Sequence, residues 1–275
     1  LITTIHHPIT SDLDIALKAA KNWRERVLIR RWHSFIAMQR QVAPQLHHVV
    51  TVSERSREDI AAAFGMQPAA IQLVHCGIDT DEFRPLGNVP KVARRLMATV
   101  SADQPLKGMR YLLEAMAEIL PRYPDLQLLM VGNIREGSEV DQLISRLKLR
   151  EHIVTVSGIS TEQLVHFYNE AEVAVVPSVY EGFGLPAGEA MACGTALVST
   201  DGGALPEVTG DAALQVPVRD SASMAKAIDT LLADADLRRR YELAGRQRME
   251  DIFCWQRAAG QMLDYYEQVL RSENG

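Results

Sequence analysis

The stretch VAVVPSVYEGFGLPAGE, residues 173–189, joins a short apolar run to a glycine-rich turn and the start of a helix. The run 173–176 has no polar alternation, which is typical of a parallel strand buried on both faces. Pro186 suits the first turn of a helix, where its missing N–H costs nothing. The stretch therefore predicts a strand, a tight turn and a helix in direct succession.

The same pattern recurs on both sides of this stretch, from about residue 91 to residue 244. Short apolar runs alternate with helical segments, and the runs lie at 96–100, 126–131, 153–156, 173–176 and 196–199. Strands joined by helices imply a parallel sheet that is covered on both faces. We predict an α/β fold with a doubly wound parallel sheet, which binds its ligands at the carboxyl ends of the strands, beside a switch in strand order.

The remaining sequence frames this regular region. Before it we expect strands at 1–5, 49–52 and 71–75. One long helical pattern covers 13–43, and a further helix is expected from Ser53 onward. A turn-rich segment at 87–90 is a candidate linker. After the regular region, residues 221–270 are helical in pattern. The predicted domains are therefore 1–86, 87–251 and a C-terminal helix at 252–275 that packs back on the first part.

Composition excludes several function classes. Apolar residues make up 47% and charged residues 23% of the chain, as in ordinary globular proteins. The net charge of −6 argues against a nucleic-acid partner. The three cysteines, Cys76, Cys193 and Cys254, lack metal-ligand spacing, which argues against zinc and for a reducing compartment. No apolar run approaches the roughly 20 residues that span a bilayer, so we expect a cytoplasmic protein.

One segment is basic although the chain is acidic. Residues 15–50 hold seven basic side chains and one acidic one, with Trp23 and Trp32 among them. A basic helix with tryptophans can lie on an anionic membrane, and it can equally be a solvated surface helix. Both interpretations stay open, and the first predicts peripheral membrane contact through residues 15–43, at the inner face of the membrane.

The turn at 181–189 carries the strongest chemical signal. Gly182 and Gly184 let the backbone approach a ligand closely. Free N–H groups at the start of the following helix, together with the helix dipole, form a phosphate site. Glu189 falls in the first turn of that helix and can accept hydrogen bonds from sugar hydroxyls, and Glu181 precedes it by eight positions.

This arrangement resembles the E-x7-E motif of retaining glycosyltransferases with the GT-B fold, in glycosyltransferase family 4. Other segments resemble that family in the same order along the chain: His6-His7-Pro8, Cys76-Gly77-Ile78-Asp79, Lys107-Gly108, Val131-Gly132-Asn133, Ser157-Gly158-Ile159 and Gly202-Gly203-Ala204-Leu205-Pro206-Glu207. The resemblance covers residues from about 5 to 255. It implies a complete C-terminal Rossmann-like domain and a partial N-terminal one.

The resemblance also implies roles for individual residues. The catalytic residues would be His6, facing the sugar or leaving phosphate, Lys107, pairing with the donor diphosphate, and Glu181, contacting sugar hydroxyls. Donor-binding residues would be Ser157, Gly158 and Ile159 at the base, Glu189 at the ribose, Gly182 in the turn, and Phe183, Gly184 and Leu185, whose backbone amides hold the phosphate and sugar. The donor would be a nucleotide-diphosphate sugar and the acceptor a sugar or a lipid, with no cofactor and no metal. The leaving diphosphate would deprotonate the acceptor, with retention of configuration.

Two features depart from the family pattern. Ala102 stands where the family usually has an arginine, so either a neighbour such as Arg135 or Arg110 compensates or donor binding is weak. We expect Arg135 to compensate as a donor-binding residue. Only about half of a Rossmann-like domain precedes the linker, so the chain is expected to be a fragment or to need a partner chain. The alternative function is therefore a nucleotide-sugar-binding module or partner subunit, inactive without a complete N-terminal domain. A GT-B epimerase or phosphorylase is less favoured, and a Rossmann dehydrogenase is disfavoured because no GxGxxG follows a first strand.

Overall fold

The computed structural model describes residues 1–100 and 103–273, and in them two parallel sheets. The first sheet has the order β1-β2-β3, with β1 at Ile2–Thr4, β2 at His48–Thr51 and β3 at Ile71–Leu73. The second has the order β6-β5-β4-β7-β8-β9, with β4 at Arg95–Thr99, β5 at Gln127–Val131, β6 at Ile153–Val156, β7 at Val173–Val176, β8 at Ala196–Thr200 and β9 at Leu214–Val216. The predicted doubly wound α/β fold is confirmed.

Helices cover and connect these strands. The N-terminal part of the chain contains α1 (Thr10–Ala19), α2 (Trp23–Trp32), α3 (Ile36–Val42) and α4 (Glu54–Phe64). Helix α4 packs on β2 and β3, whereas α1 lies against residues 105–107 of the loop after β4. Around the second sheet lie α5 (Met109–Ile119), α6 (Glu139–Arg146), α7 (Thr161–Glu170), α8 (Leu185–Ala192), α9 (Leu205–Thr209), α10 (Ser221–Ala233) and α11 (Ala235–Ile252), and α12 (Trp255–Glu273) follows. We call residues 1–75 the N-terminal unit and residues 92–252 the C-terminal unit.

The prediction of one helical stretch over 13–43 is wrong, because three separate helices occupy it. The backbone is extended at Ala20, with ψ at 127°, and at Asn22, with φ at −150° and ψ at 169°. The Asn22 side chain accepts a hydrogen bond from the Glu25 amide at 3.0 Å and so starts a new helix. Strand β9 and helix α9 were missed, since three and five residues are too short to show a period.

The strand order reverses between β4 and β7, and this reversal positions the candidate site. Strand β4 pairs with β5 on one side and with β7 on the other, all in parallel. Neighbouring residues of β4 face opposite cores: Leu96 packs with α5 and α10, and Met97 packs with α7 and α8. Both faces being covered, ligands have access only at the strand ends. The loops after β4 and β7 therefore meet at one crevice.

The chain passes twice between the two units at one place. The Ile78 amide donates to the Phe253 carbonyl at 2.6 Å, and the Trp255 amide donates to the Ile78 carbonyl at 3.2 Å. Beyond this crossing, α12 returns to the N-terminal unit, where its Tyr265 and Val269 pack against Val50 and Val74. The N-terminal unit is thus held from behind by the last helix of the chain.

Within the basic segment, helix α2 forms an exposed surface. Helix α2 has no buried residue, and Trp23 and Trp32 are 69% and 78% exposed. In the part of the chain that the structure describes, no helix is both long enough and apolar enough to cross a bilayer. Peripheral contact through residues 15–43 stays a prediction.

Candidate active site

The start of α8 presents unpaired backbone amides. Gly184 has a φ of +102° and directly precedes the helix, so its conformation favours glycine. Among residues 1–100 and 103–273, no protein acceptor receives a hydrogen bond from the amides of Phe183, Gly184 or Leu185. The first N–H groups of a helix lack intrahelical partners and carry its positive dipole end. This turn can therefore bind an anion through three consecutive amides.

Lys107 and Glu181 meet at the switch in strand order. Lys107 follows β4 and Glu181 follows β7, and the lysine Nζ donates to Glu181 Oε1 at 2.7 Å. Ser178 Oγ donates to the same oxygen, also at 2.7 Å. The side chains are 24% and 11% exposed. Both therefore remain within reach of a ligand in the crevice, and the second carboxylate oxygen, Oε2, has no protein donor among the described residues.

Close backbone contact holds these two loops together. Gly108 has a φ of +65°, and a Cβ added there would lie 1.9 Å from the Pro177 carbonyl oxygen. The Val179 amide donates to the Leu106 carbonyl at 2.7 Å. A residue with a side chain at position 108 would force the loops apart, which explains the glycine after Lys107.

Glu189 lies one turn into α8, beside the carboxyl end of β4. The hydroxyl of the fully buried Tyr168 lies 3.2 Å from Glu189 Oε2 and 3.1 Å from Thr99 Oγ1. Burial raises the pKa of Glu189, and the hydrogen bond from Tyr168 offsets this only in part. The half-buried carboxylate is thus poorly solvated, a condition that added hydroxyl donors would relieve.

The histidine pair at the end of the first strand is placed differently from the expectation. His6 is exposed. His7 lies against the glycine-rich turn, because a Cβ on Gly182 would be 2.9 Å from His7 Nδ1. The His7 ring is also 6.0 Å from that of Tyr180. The structure therefore brings His7, rather than His6, to the loop, and the role of either histidine stays a prediction.

The segment Ser157-Gly158-Ile159 follows β6, at the outer edge of the second sheet. Gly158 has a φ of +66° and open space around it. Ser160 then caps α7 through a reciprocal capping box with Gln163. Strand β6 is separated from β4 by β5. Two strand spacings, on the order of 10 Å, therefore lie between this segment and the switch in strand order.

Arg135 faces a cleft between the two units. The cleft has a volume of about 950 Å³ and is lined by α1, α2, α6 and the loops after β4 and β5. Its cationic side chains are Lys18, Lys21, Arg110, Arg135, Arg146 and Arg219. The Arg135 amide donates to Asp103 Oδ2 at 2.9 Å, whereas its guanidinium pairs with no carboxylate of the described residues. Ala102, for which Arg135 is expected to compensate, lies outside the described residues.

The segment Gly202-Gly203 supports the turn from behind. A Cβ on Gly202 would lie 2.6 Å from the Ser178 carbonyl, and one on Gly203, whose φ is +64°, would lie 2.2 Å from the Glu181 carbonyl. The Ala204 amide donates to that same Glu181 carbonyl at 2.9 Å. The backbone of the turn is thus fixed on the side away from the unpaired amides.

Two groups of contacts from the N-terminal unit were missed by the sequence analysis. Ser53 and Ser56 donate their hydroxyl protons to the Gly182 carbonyl at 2.6 and 2.9 Å. Glu207 accepts from the Glu54 amide at 2.9 Å and from His75 Nε2 at 2.8 Å. Burial alone would raise the pKa of Glu207, but the hydrogen bonds from His75 and the α4 amides outweigh it and hold the pKa below its usual value. Two of these residues carried a sequence signal: Glu207 ends the family-like segment that begins at Gly202, and Ser53 marks the start of a predicted helix.

Metal ligation has no candidate cluster in the described part of the chain: no three His, Cys, Asp or Glu side chains are grouped to hold an ion. The arrangement of lysine, amides and carboxylates fits an anionic ligand that also carries hydroxyl groups.

Comparison with known proteins supports the resemblance noted from the motifs. The family "Glycosyl transferases group 1" matches residues 86–248, and "Glycosyltransferase Family 4" matches residues 1–82. The MMP alpha-(1->4)-mannosyltransferase of Mycolicibacterium hassiacum is 39% identical over 98% of this chain and 66% of its own length. The chain thus spans just under two thirds of that relative.

A solved structure has the same fold over nearly the whole chain. Sucrose-phosphate synthase from Thermosynechococcus elongatus superposes with a TM-score of 0.79 at 27% identity, covering 98% of this chain and 67% of its own. Together with a group 1 match over more than half of the chain, this similarity establishes the family. The chain belongs to the glycosyl transferases group 1 family, among the family 4 glycosyltransferases with the GT-B fold.

Proposed function

We propose that this site binds a nucleotide-diphosphate sugar and that the protein transfers the sugar to an acceptor hydroxyl with retention of configuration. The observation that carries the proposal is the set of three unpaired amides at the start of α8, in the same turn whose Glu181 accepts a hydrogen bond from Lys107. A diphosphate bound there would gain charge-assisted hydrogen bonds from both sources. The relative named as a mannosyltransferase supports a hexosyl group, and mannosyl first of all, as the group transferred.

In this proposal one carboxylate binds the sugar of the donor and the other binds the ribose. Oε2 of Glu181 has no protein donor among the described residues, and it accepts a hydrogen bond from a hydroxyl of the sugar. Glu189 accepts hydroxyls of the ribose, which relieves its poor solvation. The base reaches Ser157-Gly158-Ile159, since about two strand spacings match the length of a nucleoside.

The chemistry needs no protein nucleophile. The bond from the anomeric carbon to the diphosphate breaks, and a bond to the acceptor oxygen forms on the same face of the sugar. The departing diphosphate takes the acceptor proton. Lys107 and the α8 amides stabilise the negative charge that grows on the phosphate, and they are already oriented before the reaction starts. We propose that these groups suffice without a metal, so that a chelator leaves the transfer rate unchanged.

A thermal-shift panel tests donor binding on the chain itself. Nucleoside diphosphates and their sugars are compared with the matching nucleosides, because a ligand at 100 times its Kd adds about 2.7 kcal/mol of stability. We expect one diphosphate series to raise the melting temperature and Lys107→Met to abolish most of the shift. A panel without any response to diphosphates would contradict the proposal. Retention is tested by NMR of the anomeric proton in freshly formed product.

A second candidate keeps the binding and removes the turnover. The first sheet has three strands where the second has six, and the chain spans 66% of the mannosyltransferase. In this alternative the chain is a nucleotide-sugar-binding module or partner subunit that needs the rest of an N-terminal domain, in the same protein or from a partner chain. Donor binding without transfer or donor hydrolysis, measured on a version as long as the mannosyltransferase, would favour it. The acceptor, a sugar or a lipid, would then be bound elsewhere.

A further inference from the structure

The carbonyl of Gly182 is held by two hydroxyls from the other unit. Ser53 Oγ donates to it at 2.6 Å and Ser56 Oγ at 2.9 Å. Both serines are 0% exposed, so water does not compete for these bonds. The serines lie 129 and 126 positions before the glycine in the chain. The N-terminal unit therefore binds, through two hydrogen bonds, the backbone of the turn that carries the unpaired amides.

These two hydrogen bonds fix the direction of the Phe183 amide in that turn. A peptide bond is planar and trans, so the carbonyl of one residue and the N–H of the next point in opposite directions. Holding the Gly182 carbonyl towards α4 aims the Phe183 N–H away from α4. The preceding plane is fixed as well, because the Glu181 carbonyl accepts from the Ala204 amide at 2.9 Å. Gly182 has no side chain, so these bonds set its orientation.

Helix α4 is itself anchored to the C-terminal unit. Glu207 accepts hydrogen bonds from the first amides of α4, from Glu54 at 2.9 Å and from Arg55 at 3.4 Å. Ser53 also caps the helix, since its Oγ accepts from the Ser56 amide at 3.0 Å. The two serines therefore lie at an anchored helix start and can hold the turn in one orientation.

We propose that Ser53 and Ser56 are positioning residues that keep the Phe183 amide directed at the donor diphosphate. This inference rests on the proposed function, because it takes the α8 turn as the diphosphate site. It adds that these two serines of the N-terminal unit strengthen donor binding without touching the donor. A change at either serine should then alter affinity for the diphosphate part of the donor and leave affinity for the base and ribose unchanged.

Two variants each remove one hydroxyl donor. Ser56→Ala deletes one donor and leaves the Ser53 cap in place. Ser53→Asp keeps a capping oxygen for the Ser56 amide but has no proton to give to Gly182. Ser199→Ala is the matched control: it is equally buried, and its Oγ donates to the Thr200 carbonyl at 3.1 Å rather than to the turn. Ser56→Thr keeps the hydroxyl and serves as the rescue.

The readout is calorimetric affinity for UDP and GDP, and for uridine and guanosine by competition. For whichever diphosphate the wild type binds, we expect each variant to lose about threefold and the double variant about tenfold, with nucleoside affinity unchanged and Ser56→Thr near wild type. Equal loss for nucleoside and diphosphate, or no loss in a folded Ser56→Ala variant, would overturn the inference. Should Ser53→Asp not fold, Ser56→Ala decides alone. A wild type that binds neither UDP nor GDP is tested with the other nucleoside diphosphates of the thermal-shift panel, and a wild type that binds none of them refutes the proposed function itself, and the inference with it.

Discussion

Glu181 competes with the proposed ligand for Lys107, which leads to an unusual expectation for Glu181→Gln. In the unliganded protein the lysine charge is already paired with this carboxylate at 2.7 Å. A diphosphate must approach a lysine whose charge is largely neutralised. Replacing the carboxylate by an amide should therefore tighten the binding of a free nucleoside diphosphate. The same change should slow transfer, because a sugar hydroxyl loses its charged acceptor.

The size of the effect follows from the geometry. A phosphate oxygen on the far side of the lysine nitrogen would lie about 5 Å from the Glu181 carboxylate, given ordinary charge-assisted hydrogen-bond lengths. Two unit charges at that separation repel by about 3 kcal/mol at an effective dielectric constant of about 20. Water and salt in the open crevice reduce this to roughly half. We therefore expect about tenfold tighter binding of the free diphosphate.

The assay is titration calorimetry with UDP and GDP at low and at high salt, run on the wild type and Glu181→Gln. Glu118→Gln controls for the change in net charge, because Glu118 is an exposed carboxylate on α5 that pairs with no side chain among residues 1–100 and 103–273. The gain should shrink at high salt and be absent in the control. Unchanged or weaker diphosphate binding by a folded Glu181→Gln protein would refute the competition between Glu181 and the ligand.

Four further expectations follow from individual contacts. Glu189→Gln should raise the free energy of unfolding at pH 7, because burial raises the pKa of this carboxyl and so disfavours its charged form. The same variant should weaken donor binding roughly ten- to a hundredfold. A destabilised variant with normal donor affinity would contradict both parts. Glu207→Gln should lower the free energy of unfolding by about 1–2 kcal/mol at pH 7. Because the folded-state pKa of Glu207 lies below the usual 4.5, this stabilisation is present above pH 4.5 and is lost as the pH falls through the folded-state pKa. Denaturant unfolding measured from pH 7 to pH 3 should therefore show a smaller loss of unfolding free energy in Glu207→Gln than in the wild type. Arg135→Ala should weaken nucleotide-sugar binding several-fold if Arg135 compensates for Ala102, and unaltered affinity would exclude that role. Vesicles with anionic lipid should co-sediment the wild type more than a Trp23→Ala, Trp32→Ala double variant if α2 contacts membranes, and sedimentation that ignores both anionic lipid and the tryptophans would exclude the contact.

The sequence predicted those parts of the fold that depend on unbroken apolar runs. Strand Val173–Val176 has the expected bounds, because a buried parallel strand leaves a local pattern. The breaks at Ala20 and Asn22 were missed, although an Asn followed three residues later by Glu is a capping signal.

The site could be predicted only in part, for a physical reason. Lys107 and Glu181 each follow a strand, and the fold class alone brings such strand ends together. The hydrogen bond from Ser53 to Gly182 has no periodic signature, since it joins residues 129 positions apart. The choice between His6 and His7 depends on how the chain leaves β1, which the strand pattern does not specify.

The central claim is that the α8 turn and Lys107 hold the diphosphate of a sugar donor, and a crystal structure of the protein with an intact nucleotide sugar tests it most directly. We expect phosphate oxygens about 3 Å from Lys107 Nζ and from the amides of Phe183, Gly184 and Leu185, with Glu181 on the sugar and Glu189 on the ribose. A donor bound in another part of the molecule, or in this crevice with both carboxylates turned away from it, would contradict the claim.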